Sequence, residues 1–303
     1  MSIFSNPFFY ASTAAGKNTR GIFAFGLADG VIATSNLVST SGVVSSDVAA
    51  VGSGKRSGGG ATYGEDKGIF AFGYVSSFIS ISNLVSNSGV VATDTTGVGT
   101  ARTMGGMGCG YGEDKGIFAF GGSSGGTSNL SNLVSNSGVV ASDTAGVGTA
   151  RWDACSLTYG TDKGIVAFGY SGSDSNISNL ISNSGVVASD TSGVGTSRQA
   201  AASAGYGEDK GIMAYGMINE SYNTGISNLI SNSGVVASDT AGVGTIRRYV
   251  TGCTYGSDKG IIAFGYASDI TNISNLISNS GVIASDTSGV GASAWGKGAT
   301  SFA

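Results

Sequence analysis

The hydrophobic positions of this chain fall in short runs, not in a helical stripe. Gly-Ile-Phe-Ala-Phe-Gly begins at Gly21 and returns, with small changes, at Gly68, Gly116, Gly164, Gly211 and Gly260, at intervals of 47–49 residues. A second block keeps step with it: the run starting at Asn83 (Asn-Leu-Val-Ser-Asn-Ser-Gly-Val-Val) has counterparts from Asn36, Asn132, Asn179, Asn228 and Asn275. Self-similarity at such a period marks a repeat architecture, in which each unit buries its faces against its neighbours.

Within the fifth copy, residues 199–206 form a run of small side chains that reads as a first strand, and Gly207-Glu208-Asp209-Lys210-Gly211 supplies a turn. Residues 212–215 are apolar throughout, as in a strand covered on both faces. A variable stretch leads to a third strand at 228–231, the tight turn Asn232-Ser233-Gly234, and a fourth strand at 235–238. Asn and Gly suit that turn because they tolerate positive φ. No 3.6-residue apolar stripe and no capping box occurs. Four short antiparallel strands per 48 residues predict an all-β fold, a six-bladed β-propeller. Its copies span about 7–55, 56–101, 102–150, 151–197, 198–246 and 247–294 of a single unit covering 1–303, and 295–303 is an extra closing strand. The tail aligns with strand one, and so does the head from Phe8 to Ala14. One of the two is expected to complete a sheet begun by the other end, the other being displaced.

An arginine at the head of the copy, an apolar strand ending in Gly or Gly-Gly (Gly121-Gly122) and a hairpin on a polar turn together resemble the kelch-type β-propeller repeat. The chain departs from that pattern where kelch repeats carry a fourth-strand Trp, having Val140, Val187 or Ile283 instead. Its repeat wording, YGxDKGIFAFG followed by SNLVSNSGVVASDTAGVGTAR, also resembles near-identical arrays in virion and appendage proteins of marine tailed phages. That resemblance implies a structural or host-contact role.

Composition narrows the chemistry. Fifteen basic and 19 acidic residues give a net charge of −4, with only 11% of positions charged. No electrostatic footprint for nucleic acid is visible. No run of 18 apolar residues is present, so no membrane insertion is expected. The first residues carry no charged region ahead of their aromatic patch and do not read as a secretory signal. The expected location is a virion or the medium after lysis, otherwise the cytoplasm. The chain has no histidine, which removes the usual triads and the commonest metal ligand. Three cysteines without CxxC spacing argue against a disulfide framework or zinc site, and no metal or cofactor is expected.

The charges repeat as regularly as the apolar runs. Asp66, Asp114, Asp162, Asp209 and Asp258 sit in the turn between strands one and two, each followed by Lys; Arg56, Arg102, Arg151, Arg198 and Arg247 head strand one. The first copy lacks both, with Pro7 and Thr19 near those places, which predicts structural ion pairs between the two sets. A further series, Asp47, Asp94, Asp143, Asp190, Asp239 and Asp286, is expected to cap the end of strand four as Asx-turns. The Gly-Val-Gly-Thr-Ala-Arg stretches lack phosphate-loop spacing. Symmetry breaks mainly between strands two and three, in residues 27–35, 74–82, 122–131, 170–178, 217–227 and 266–274. Alternating strand direction puts these loops on one face. They carry Tyr74, Phe78, Tyr170, Asp174, Glu220, Tyr222, Tyr266 and Asp269, a surface suited to another protein, such as a virion component, or to a surface glycan. The expectation is a non-enzymatic structural or binding propeller, with a carbohydrate-binding lectin as the alternative. A glycosidase or lyase would call for three or more carboxylates around a central channel.

Overall fold

A computed structural model describes residues 18–49, 52–105 and 107–303. The described chain is all-β, without a helix, and is built from antiparallel sheets of two to four strands. The first repeat contributes β1 (Arg20–Ala24), β2 (Thr34–Val38) and β3 (Val48–Ala49). The second gives β4 (Gly59–Tyr63), β5 (Lys67–Tyr74) and β6 (Phe78–Val85), and the third β7 (Cys109–Tyr111), β8 (Lys115–Ser123) and β9 (Gly126–Val134). The fourth gives β10 (Cys155–Tyr159), β11 (Lys163–Ala167) and β12 (Ser178–Ile181). In the fifth, β13 (Ala202–Tyr206), β14 (Lys210–Ala214) and β17 (Ser227–Ile230) form one sheet, while β15 (Met217–Ile218) and β16 (Tyr222–Asn223) pair as a small hairpin. The sixth holds β18 (Thr251–Tyr255), β19 (Lys259–Tyr266) and β20 (Ile270–Ile277), and the chain ends in β21 (Gly298–Phe302).

Of the two ends that read as strand one, the tail is the one paired with the first repeat. β21 pairs with β1 over five residues, Arg20 opposite Phe302 through Ala24 opposite Gly298, so the first sheet takes its first strand from the far end of the chain. The head, including Phe8 to Ala14 and Pro7, lies outside the described residues. First strands meet across sheets in the order β4, β7, β10, β13, β18, β21, and β21 touches β4 again. Glycine permits this crowding: a Cβ on Gly60 would stand 1.9 Å from the Ala299 carbonyl oxygen.

The expected fourth strand is present only as single bridges, such as Ile230 to Val236 and Ser227 to Thr240, apart from the two-residue β3. A side chain takes the ladder's place. Asn228 donates from Nδ2 to the Ala237 carbonyl and to Asp239, both 2.9 Å away, and the outer segment hangs from that amide with Val235 facing solvent.

The apolar second strands are covered on both faces and carry the core, for example Ile117, Phe118, Ala119 and Phe120. Their last aromatic breaks the pleat. Phe25, Phe72, Phe120, Phe168, Tyr215 and Phe264 have φ between 61° and 65° and stand before a glycine that is also at positive φ. In the longer strands this is a bulge that shifts register between Ala71 and Gly73, Ala119 and Gly121, and Ala263 and Gly265. Large side chains rarely adopt this conformation. Here it swings the ring out of the alternation and into the seam with the next sheet.

Candidate functional site

Each seam holds one buried cation on one of these rings. Arg102 lies 4.3 Å over Phe72 and donates to the Phe120 carbonyl and to Asn132. Arg151 lies 4.2 Å over Phe120 and donates to the carbonyls of Phe168, Thr149 and Val166. Arg198 covers Phe168 and reaches the Tyr215 and Met213 carbonyls, and Arg247 covers Tyr215 and reaches Phe264 and Asn275. Lysines serve the other two seams. Lys55 lies over Phe25 and bonds Asn83; Lys297, from the tail, lies over Phe264 and bonds Asn36. Burial pulls the two lysines down to about 8 and Arg102, Arg151 and Arg198 down to about 10, so all five stay charged at neutral pH.

Three expectations are corrected here. Arg56 does not belong to the arginine series, because Lys55 occupies that place and Arg56 is the next residue along. The turn aspartates are not the arginines' partners either. Asp66, Asp114, Asp162, Asp209 and Asp258 each bond the lysine that follows, at 2.5–3.0 Å. The reason is distance along the strand: the turn lies at one end of strand one and the arginine at the other. The carboxylate beside Arg102 is Asp143, from the far end of the same repeat, at 3.6 Å. That series is not a set of local caps. Asp143 accepts Thr100 N–H and Oγ–H together with Asn132, and Asp94, Asp190, Asp239 and Asp286 do the same for Ser53, Thr149, Thr196 and Thr245. Partial burial works against the ionised form, but these hydrogen bonds outweigh it and hold the five carboxyls below their ordinary range.

A cavity of about 490 Å³ is lined by the first strand of all six larger sheets. Its wall is backbone, small side chains and hydroxyls such as Thr62, Thr158, Ser203, Thr254 and Thr300. Many of these hydroxyls are engaged with the neighbouring strand, as Ser203 with the Ser156 carbonyl at 2.6 Å and Thr300 with that of Ala61 at 2.8 Å. Cys109, Cys155 and Cys253 are free and buried, with burial pushing the first two thiols up to about 12. Glu208 lines the cavity, and Glu65 and Glu113 line a small recess beside it. These three occupy exposed strand one–two turns, matched in the other repeats by Asn18, Thr161 and Ser257, and no carboxylate lies deeper. Among the described residues no three acidic or cysteine side chains converge to hold a metal.

The other end of the strands is closed by main chain. Gly105 N–H donates to Ser57 O, Ser57 to Gly296, Gly296 to Tyr249, Tyr249 to Ala200 and Ala200 to Asp153, at 2.7–3.2 Å. One loop from each repeat contributes. The residues just before this belt bridge to the start of the variable hairpins: Arg56 to Tyr74, Thr103 to Gly122, Trp152 to Tyr170, Gln199 to Met217, Arg248 to Tyr266 and Trp295 to Leu27. Strand-one heads and variable loops therefore share a surface.

On that surface the sequence-derived residues are distributed as follows. Tyr74 meets Phe78 edge-on at 5.5 Å within one hairpin. Tyr170 stacks on Trp152 and donates its hydroxyl to Glu220 of the next repeat at 3.0 Å. Asp174 accepts from Gln199 and from the Asn219 amide, Asp269 caps its own loop at Ile270, and Tyr222 stands 69% exposed. Tyr266 lies under Arg248. Missed were Trp152, Trp295, Arg248, Tyr249 and Asp153, and the place of Arg56. Arg56 lies 5.0 Å from both the Tyr74 and Trp295 rings, Trp295 packs on Tyr249 at 4.8 Å, and Arg248 lies over Tyr249 and Tyr266. Burial pushes the Asp153 carboxyl up to about 6, against the pull of Arg56. The signal was available: the residue after the seam position varies among Arg, Thr, Trp and Gln from copy to copy, while the copies around it barely change.

Comparison with protein-family models and with curated proteins finds no match for this chain. No helix among the described residues is long and apolar enough to cross a membrane.

Proposed function

We propose that the chain is a single six-bladed β-propeller that works as a non-enzymatic binding module, its contact face being the end that carries the variable hairpins. What supports the ring is the run of seam cations, which passes from sheet to sheet and returns to the first through Lys297. The observation that carries the binding reading is the gathering of both tryptophans of the chain, with Arg56 and Arg248, where repeat symmetry is most broken. Aromatic and arginine side chains are enriched where proteins meet partners. Resemblance to phage repeat arrays makes the surface of a virion the proposed setting. The partner is another protein or a surface glycan; the Trp152–Tyr170 stack beside Glu220 favours the glycan, since sugars take a flat ring and a planar acceptor together.

The test is binding by face. Labelled protein is applied to a glycan array beside a Trp152→Ala, Tyr170→Ala double variant. Retention lost in the double variant supports the reading, and retention unchanged in it places the contact elsewhere. Cleaved sugar in the wells would overturn the non-enzymatic part.

A further inference from the structure

We infer that the strip Tyr74–Arg56–Trp295–Tyr249–Arg248–Tyr266 binds an acidic oligosaccharide, its carboxylates received by the two guanidinium groups. This rests on the contact face proposed above and names its ligand class. The strip crosses the second, first and sixth repeats, each arginine set between two rings at 4.9–5.8 Å and the two trios joined by the Trp295–Tyr249 contact at 4.8 Å.

Its donors are unspent. Arg56 is held by two ring faces and by no hydrogen bond from its guanidinium to a described residue. Arg248 makes one long bond, Nη1 to Asn223 at 3.3 Å, and its buried Nε has no partner. A guanidinium fork matches a carboxylate in two parallel hydrogen bonds. Clamping by rings leaves little side-chain freedom to lose on binding.

The rest of the face decides between an acidic sugar and an acidic peptide. Across the fourth and fifth repeats it presents Asp174 and Glu220, Asp153 lies within the pull of Arg56, and the first and sixth repeats add the exposed Asp29 and Asp269. Any polyacid meets repulsion there, and polyglutamate has no side-chain donor with which to offset it. A saccharide offers carboxylates to the arginine half and hydroxyl donors to the acidic half, and the Trp152–Tyr170 stack extends the flat surface beneath it.

The probes are tetragalacturonate, maltotetraose and tetraglutamate, titrated calorimetrically into the full chain at pH 7.5. Tetragalacturonate should bind, with Arg56→Ala and Arg248→Ala each weakening it about tenfold or more, as expected for a lost hydrogen bond to a charged group. Arg56→Lys and Arg248→Lys, which keep charge and packing but lose the fork, should fall between. Unchanged melting temperatures show that the variants remain folded. Maltotetraose binding as well as tetragalacturonate, indifferent to both arginines but lost in Trp152→Ala, overturns the acidic ligand and leaves the contact face standing. Tetraglutamate binding best with the same arginine dependence replaces sugar by peptide and overturns the inference. Tetragalacturonate binding that survives both arginine variants but falls in Lys67→Ala and Lys115→Ala moves the contact to the opposite end and overturns both readings. No binding of any probe overturns the inference.

Discussion

Arg151 shows how one buried charge is tolerated. Its guanidinium is fully covered, which costs several kcal/mol of lost hydration. Three carbonyl acceptors and the Phe120 ring offset that cost. Removing it strands those carbonyls and leaves a void, so Arg151→Ala should destabilise by about 3–5 kcal/mol. Lys163→Ala removes only a solvent-screened pair with Asp162 and should leave stability almost unchanged. Paired urea melts check both. Similar losses in the two variants would refute the distinction. Sequence made the arginines visible as a series but paired them wrongly, because their partners are main-chain carbonyls and a ring of the preceding repeat, which no pattern of charges can reveal. The swap of Ala294 for Lys297 at the last seam was hidden for the same reason: the backbone places Ala294 where the others have arginine, and a lysine three residues on fills the space.

At the scale of elements, the first three strands of each repeat could be read from apolar runs and turn residues, and the structure places them within a few residues of the expected positions. The fourth could not, because its support comes from the amide of Asn83, Asn132, Asn179, Asn228 or Asn275 in place of a ladder. The bulged aromatics were equally hidden, since a Phe at positive φ reads in sequence like any strand Phe. Those amides also hold the aspartates that tie each loop to its neighbour, and this gives the fold an acid limit. A carboxyl lowered in the folded state adds stability above the ordinary carboxylate range near 3.8, and that stability is lost as pH falls through the lower folded value. Melting temperature should therefore drop steeply below about pH 4. Asp143→Asn should cost about 1–2 kcal/mol at pH 7 and lose less than wild type on acidification. Calorimetric scans from pH 7 to 2 check this; parallel pH profiles for the two proteins would refute it.

For the molecule as a whole, both ends of the sequence suggested strand one, and only coordinates could choose between them. Truncation of residues 295–303 removes β21 from the first sheet together with Lys297 from the seam, exposing the edge of β1. The shortened chain should melt at least about 10 °C lower or fail to fold cooperatively, followed by circular dichroism. An unchanged melting temperature would count against the clasp and against the proposed ring. The candidate surface was half legible: the hairpins announced themselves by variation, whereas the strand-one heads, scattered 47–49 residues apart, become neighbours only once the repeats assemble. The main-chain belt from Gly105 to Asp153 has its own consequence for traffic. It runs along the strand ends opposite the Glu-Asp-Lys turns, so the 490 Å³ chamber lies between two unlike ends. A solute entering from the turn end passes Glu65, Glu113 and Glu208 with Lys210 among them, a rim of mixed charge ahead of the hydroxyls within.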